Sequence, residues 1–245
     1  VLYYPFRTRM RTIRLTAASL HPSGPLLRAI CSLGVSPFLN QMAMFLVQIT
    51  LNNTLTYYGA LSHYGEDIPL ACVGVISKVN ILMLGFTLGI SQGCQPIFSY
   101  NYGARQYSRV REAYRKAIVA ASVICCIAFV CFQLFPRPIV ALFDPSGSEE
   151  YFQFAERYFR IYMFMTLANA FQPITANFFT SIGKAKRGAL IALTRQVIFL
   201  IPLILIFPLF LGIDGVMYAG PIADSAAVVV ALALVTREMK RMPHV

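Results

Sequence analysis

Three charged residues, Lys78, Arg195 and Asp224, each lie alone in a long stretch that contains no other charge. A charge inside a membrane costs roughly 3 kcal/mol on insertion scales, so it normally faces protein or water and has a partner. At ~1.5 Å per residue, the depths of Arg195 and Asp224 differ by less than about 10 Å. We therefore predict that these two residues pair, as a structural clamp or as part of a proton- or ion-linked switch. All three charged residues are candidates for coupling or gating.

A second set of candidates combines uncharged polar groups with an aromatic ring. Gln41 and Gln48 are spaced i, i+7, which places them on one face of a helix. Asn169, Gln172 and Phe178 lie together in a later apolar stretch. Amides beside aromatic rings suit a cavity for amphipathic organic cations. Hydrogen bonding between helices is the alternative interpretation.

Glycine and proline spacing indicates close packing and bending. Gly85, Gly89 and Gly93 recur every four residues and form a smooth stripe that another helix can approach. The stripe would serve static packing or a sliding contact between moving helices. Pro96 and Pro202 fall within or near apolar stretches, where a proline bends a helix and offers a static kink or a hinge.

No pattern for catalysis, for a metal or for a cofactor is apparent. The six cysteines include no CxxC pair, and the three histidines are isolated, so neither residue type forms a metal-ligand pattern. No nucleophile triad or phosphate loop is visible. We expect no catalytic residue, no metal and no cofactor, and we predict that the chain is not an enzyme.

Composition identifies the environment of these residues as lipid. Hydrophobic residues make up 57% of the 245-residue chain and charged residues 13%, against roughly 25% charged residues in soluble domains. A membrane helix needs about 20 mostly apolar residues. Six windows meet this length and predict an all-α membrane protein, a bundle of six transmembrane helices. The windows are 29–51, 69–98, 117–135, 158–182, 188–211 and 213–236.

The basic residues are concentrated on one side of the predicted spans. The net charge of +11 would fit a nucleic-acid partner, but this distribution follows the positive-inside rule instead and places both termini in the cytoplasm. We expect no nucleic-acid partner. The predicted parts are a basic lead-in (1–28), the transmembrane lobe (29–236) and a cytoplasmic tail (237–245). Because the chain starts at Val1 without a secretory signal, we interpret it as a fragment that lacks an upstream part.

Several motifs resemble those of the multidrug and toxic compound extrusion (MATE) family, in particular its MepA-like branch. Ser91-Gln92-Gly93-Cys94-Gln95-Pro96-Ile97, followed by Tyr100-Asn101-Tyr102-Gly103-Ala104-Arg105, is similar to a signature of that family. The similarity continues through 177–186, 195–202 and 212–224, and covers about residues 28–241. These stretches occur in the family's order, with plausible spacing.

The resemblance implies one lobe of a twelve-helix transporter, with this chain as the C-terminal lobe, helices seven to twelve. Members export cationic, lipophilic drugs and other toxic compounds across the cell membrane by proton or sodium antiport. The implied partners are organic cations or drugs, membrane lipids and the missing N-terminal lobe, and H⁺ is favoured over Na⁺ as the coupling ion. Some members place acids in the first and fourth helices of this lobe, but 29–65 and 161–183 contain none. That absence argues against a sodium site of this kind here.

Two other functions fit a six-helix lobe. The first is a flippase for lipid-linked saccharides from the related superfamily, which would line its cavity with several cations to hold pyrophosphate. The spans offer only Lys78 and Arg195, and Asp224 offsets one of them. The second is a non-transporting membrane scaffold or sensor, against which the prolines and buried charges argue.

Overall fold

Long helices dominate the fold, as the continuous apolar stretches predict. The computed structural model describes residues 23–145 and 147–243, and no strand occurs in these ranges. Within them, the side chains of Ala29, Ser32, Leu33, Ser36, Pro37 and Asn169 are not described. The helices are α1 (Gly24–Ala60), α2 (Asp67–Gly103), α3 (Tyr107–Leu134), α4 (Pro136–Ala141), α5 (Glu149–Tyr162), α6 (Phe171–Ser181), α7 (Ala185–Leu193), α8 (Ile201–Leu211) and α9 (Ile213–Arg241). A 3₁₀-helical segment (Met163–Ala170) joins α5 to α6, and a π-helical segment (Thr194–Leu200) joins α7 to α8.

The six predicted spans correspond to α1, α2, α3, α5 with α6, α7 with α8, and α9. By length and composition, four helical stretches can cross a membrane: Asp67–Gly103, Tyr107–Leu134, Ala185–Leu211 and Ile213–Arg241. Only 22% to 44% of their most apolar windows is buried inside the described chain. Their outer faces therefore need an apolar environment, and the predicted class, an all-α membrane protein with a six-helix transmembrane bundle, is confirmed.

The fourth predicted span is not one continuous helix. Residues 158–182 were expected to form a single helix, but Met165 leaves the helical conformation with φ −90° and ψ 22°. The chain passes this point as a 3₁₀ segment, in which each carbonyl bonds three rather than four residues ahead. Phe171 then restarts the α-helix as α6. No glycine or proline lies between Met163 and Phe171, so the sequence contains no helix-breaking residue at this position.

The two ends of the chain differ in how much of them is described. Residues 1–22 of the predicted lead-in lie outside the described part, whereas 24–28 already belong to α1. Residues 23–38 belong to one compact unit, and the described residues from 39 onward belong to another. At the other end, α9 continues to Arg241, so the first residues of the predicted tail are helical.

The core of the larger unit is built around α2 and α9. Helix α2 packs against α3 and α6, and α9 packs against α8 and the π-helical segment. Aromatic rings fill the space between α2, α3 and α6. The Phe178 ring centroid is 5.3 Å from that of Phe98 and 5.1 Å from that of Tyr114. Such ring pairs add stability beyond the area that they bury.

Two glycines allow neighbouring helices to touch through their backbones. A Cβ at Gly215 would lie 2.5 Å from the carbonyl carbon of Phe207, so α8 and α9 pack with no room for a side chain. A Cβ at Gly188 would lie 2.6 Å from the carbonyl oxygen of Ala176, which brings α7 equally close to α6. These contacts set the positions of the two segments that carry the charged pair.

Candidate functional site

A buried ion pair joins two of the spans. The Arg195 Nε donates a hydrogen bond to Asp224 Oδ1 over 2.5 Å, and the two side chains are only 14% and 11% exposed. Arg195 lies in the π-helical segment between α7 and α8, and Asp224 lies within α9. The predicted pairing of these residues is confirmed. Because water hardly reaches either group, each charge depends on the other for compensation.

The π-helical segment that carries Arg195 ends close to a proline. Pro202 is in the first turn of α8 and has no N–H to bond the carbonyl four residues before it. The wider π turn lies directly upstream, over Thr194–Leu200. Segments of this kind are frequent at functional sites. The helical form thus changes beside Pro202, which was predicted as a kink or hinge.

A tyrosine ring lies against α9 one turn before Asp224. A Cβ at Gly220, one turn before Asp224, would lie 2.6 Å from Tyr162 Cε2. Tyr162 therefore packs against α9 one turn before Asp224. Its ring is stacked on Tyr158 with 5.6 Å between centroids. The sequence analysis did not single out Tyr162. Its position in the predicted span 158–182, which also contains Gln172, was the available signal.

Lys78 differs from Arg195 and Asp224 in its exposure and in its ion pairing. Its side chain is exposed on α2, and no acidic group among the described residues lies within ion-pair distance. It shares one face of α2 with Gly85, Gly89, Gly93 and Pro96, all of which are exposed. We call this face the open stripe of α2.

The open stripe receives no neighbour from the described chain. No atom lies within 4 Å of a Cβ built at Gly85, Gly89 or Gly93. The close helix packing expected of these glycines is therefore not made by residues 23–145 and 147–243. Pro96 lies inside α2, which continues through it to Gly103.

The predicted cavity residues differ in how exposed they are in the described part of the chain. Gln41 and Gln48 are exposed on α1, and the Gln48 Nε2 donates to Asn52 Oδ1 over 3.0 Å. Gln172 is half-buried on α6, and the Asn169 side chain lies outside the described part. Phe178 is fully buried. The Phe178 ring, predicted as a candidate for the substrate cavity, fills the core against Phe98 and Tyr114 in this structure.

Two hydrogen bonds join helices through polar side chains whose partners the sequence analysis did not identify. The Asn177 Nδ2 donates to Ser91 Oγ over 2.7 Å, which ties α6 to α2. The Tyr114 hydroxyl and Thr175 Oγ1 are 2.7 Å apart and tie α3 to α6. Polar side chains in apolar stretches were the available signal, and pairing them required the tertiary structure.

A second charged cluster lies at one end of the bundle. Here α2 ends, α3 begins, the turn between α6 and α7 passes, and α9 ends; we call it the basic end. Lys184 from the turn and Arg187 from the first turn of α7 both bind the carboxylate of Glu238 near the end of α9. Glu238 is 1% exposed. The Arg111 Nη2 from α3 also donates to the carbonyl of Met242 over 2.6 Å.

Comparisons with known proteins agree with this architecture. Residues 41–206 match the family model MatE. The chain is 22% identical over 237 residues to the multidrug export protein MepA of Staphylococcus aureus (strain bovine RF122 / ET3-1), covering 96% of this chain and 49% of that protein. The chain therefore spans about half the length of the curated relatives it matches and corresponds to their C-terminal half. These relatives are named for export and not for catalysis, in agreement with the prediction that the chain is not an enzyme.

Solved structures show the same fold. An outward-facing multidrug resistance MATE family transporter of the MOP superfamily superposes with a TM-score of 0.84 at 21% identity, covering 98% of this chain and 52% of that one. A MOP superfamily transporter from Pyrococcus furiosus gives a TM-score of 0.85 at 20% identity, with coverages of 99% and 53%. Since the family model matches well over half of the sequence and the helices superpose on one half of these transporters, the chain is a multi-pass membrane protein that belongs to the MatE family.

Proposed function

We propose that this chain forms the C-terminal half of a secondary active transporter. The complete transporter exports cationic, lipophilic drugs and other toxic compounds across the cell membrane in exchange for H⁺ or Na⁺, with H⁺ favoured. Membership of the MatE family and relatives named as multidrug export proteins support this proposal. The missing N-terminal lobe supplies the other wall of the transport cavity.

The observation that carries the proposal is the buried pair of Arg195 and Asp224. A proton on Asp224 removes the carboxylate charge and leaves Arg195 buried without a counter-ion, which is costly. The ion pair therefore depends on both charges, and it links spans five and six. A binding event that favours one state of such a pair shifts the arrangement of the helices that carry it. The adjoining π-helical segment and Pro202 supply a place where span five can change shape.

The distribution of charge supports the orientation. The basic end carries Lys184, Arg187 and the basic first turns of α3, and the positive-inside rule places such segments in the cytoplasm. Acidic residues predominate at the opposite end, where Arg157 pairs with Asp214 over 2.8 Å. Both termini then face the cytoplasm.

The open stripe of α2, together with Gln41 and Gln48 on α1, provides exposed surface for the cavity. In this proposal Lys78 takes part in coupling or gating. Since Asp224 neutralises Arg195, Lys78 remains as a cation well inside a described span with no acidic group within ion-pair distance. So little positive charge deep in the spans suits a pyrophosphate-linked lipid poorly, which favours drugs over lipid-linked saccharides as substrates.

The proposal is tested by ethidium efflux from cells that express the complete transporter. The proton and sodium gradients are collapsed separately, and loss of efflux with one of them identifies the coupling ion. Efflux that persists with both gradients abolished excludes antiport. Movement of a lipid-linked saccharide without ethidium efflux favours the flippase instead.

Two variants test the ion pair in the same assay. We expect Asp224→Asn to reduce efflux about tenfold or more, since one tenfold step needs only about 1.4 kcal/mol. The matched control is Asp214→Asn, which removes the carboxylate of an exposed Arg–Asp pair and should leave efflux within about twofold. If Asp224→Asn is expressed normally and transports like the unmodified protein, the role of the pair is refuted.

A further inference from the structure

A groove opens at the basic end between the start of α3 and the end of α9. Its volume is about 440 Å³, and Phe171 of α6 also lines it. The walls are apolar, with Ile118 and Val119 on α3 and Leu232 and Val235 on α9. The lining also includes Thr236, but its hydroxyl is satisfied by the carbonyl of Leu232 at 2.7 Å. The groove therefore suits a hydrocarbon chain rather than a polar ligand.

Two cations complete the lining of this groove. Arg115 of α3 and Lys240 of α9 are both exposed and line it. No acidic group among the described residues lies within ion-pair distance of either one. Lys116, the next residue along α3, differs because it binds Glu112 over 2.7 Å. The groove thus combines two uncompensated positive charges with an apolar interior.

The position of the groove matches the boundary between headgroups and hydrocarbon. Leu232 lies eight residues before Lys240 on α9, so the apolar wall runs for about 12 Å below the cation at ~1.5 Å per residue. Cations next to an apolar wall at the end of a spanning helix lie at headgroup depth. Arg111 donates to the carbonyls of Met239 and Met242. This contact holds the start of α3 against the end of α9 and so maintains the groove.

We propose that this groove binds an anionic phospholipid from the surrounding leaflet. The headgroup phosphate lies between Arg115 and Lys240, and one acyl chain enters between α3 and α9 as far as Phe171. Charge complementarity selects an anionic headgroup over a zwitterionic one. The apolar walls select a lipid over a free anion. The site depends on the membrane location of the chain and not on its transported substrate.

Native mass spectrometry of the purified chain in detergent tests this site with three probes: phosphatidylglycerol, phosphatidylcholine with the same acyl chains, and inorganic phosphate. We expect one phosphatidylglycerol to be retained about tenfold more strongly than phosphatidylcholine. Inorganic phosphate should not displace it. Equal retention of the two lipids, or displacement by inorganic phosphate, overturns the proposal.

A pair of double variants locates the binding. Arg115→Gln with Lys240→Gln should lower phosphatidylglycerol retention about tenfold, because each cation near an anionic headgroup contributes to binding. The control, Arg109→Gln with Lys186→Gln, removes two exposed cations from the same end that do not line the groove. Its retention should stay within about twofold. Similar losses in both variants would indicate a diffuse charge effect and refute a discrete site.

A third variant separates the groove from its cations. Val119→Trp places a large ring in the opening but leaves Arg115 and Lys240 unchanged. Val119 is 54% exposed, so the change should not disturb the core. We expect it to reduce phosphatidylglycerol retention while circular dichroism stays unchanged. Full retention in this variant would mean that the acyl chain does not occupy the groove, and the proposal would be wrong.

Discussion

Replacing Glu238 by glutamine should destabilise the basic end far more than an equivalent change on the surface. The Glu238 carboxylate is the common partner of Lys184 and Arg187, and its side chain is 2% exposed. The change keeps the shape of the side chain and removes its charge. Two cations that converge on one point then lose their counter-ion and repel each other.

The size of the effect follows from the burial of each partner. Removing one partner of a fully buried ion pair costs roughly 3–5 kcal/mol. Here the cations are 34% and 35% exposed, so water can solvate part of their charge after the change. The arrangement also retains cation–π contacts, such as that of Arg187 with the Phe179 ring at 6.0 Å. We therefore expect a loss of about 2 kcal/mol, below the fully buried value.

The assay is thermal unfolding of the purified chain in detergent. A loss of about 2 kcal/mol corresponds to a decrease in Tm of about 4–8 °C for a chain of this length. The control is Glu112→Gln, the same change at the same end in a pair whose side chains are 76% and 62% exposed. Such a pair contributes at most about 1 kcal/mol. Equal Tm values for the two variants would refute the reasoning that burial makes Glu238 the anchor of the basic end.

Three further outcomes are expected. Gly215→Ala should lower the free energy of unfolding by about 1–3 kcal/mol, because the added Cβ would meet the Phe207 backbone. Its control is Gly89→Ala, whose added Cβ meets no atom within 4 Å. This control should leave the Tm of the chain unchanged or raise it. Tyr114→Phe should cost about 1 kcal/mol in chemical unfolding, since it leaves the buried Thr175 hydroxyl without its 2.7 Å partner. The hydrogen bond from Arg137 lowers the pKa of Glu149, so this contact stabilises the fold above the ordinary glutamate pKa and is lost as the pH falls through the lowered pKa. The Tm of Glu149→Gln should consequently depend less on pH over that range than the Tm of the unmodified chain.

Much of the fold could be predicted because hydrocarbon imposes simple rules. A helix is the element that satisfies its own backbone groups within one segment, so long uncharged stretches had to be helical. The break at Met165 could not be predicted in the same way. No proline or glycine lies between Met163 and Phe171, and the conformation there depends on how α3, α6 and α9 pack around it.

One charged contact could likewise be predicted from the sequence, and another could not. Arg195 and Asp224 could be paired from sequence because each lies alone in its span, so few alternative partners exist. The ion-pair partners of Glu238 could not be predicted, since the basic end contains many cations and their sequence spacing does not indicate which of them bind Glu238. The resemblance of 177–186 to the family was visible, but the binding of Glu238 by Lys184 and Arg187 became apparent only from the structure.

The open stripe of α2 shows why this bundle requires a further surface. Lys78 lies on that stripe without an acidic partner among the described residues, and a lysine that faces lipid costs roughly 3 kcal/mol on insertion scales. Glycines at 85, 89 and 93 would gain little from facing lipid, since they bury no side chain there and lower helix stability. Both observations are accounted for if the stripe faces water or another helix surface. The relatives are about twice as long as this chain, so we expect their other half to provide that surface. Accordingly, Gly89→Leu should leave the unfolding of this chain unchanged and impair efflux by the complete transporter; equal efflux would show that the stripe faces lipid.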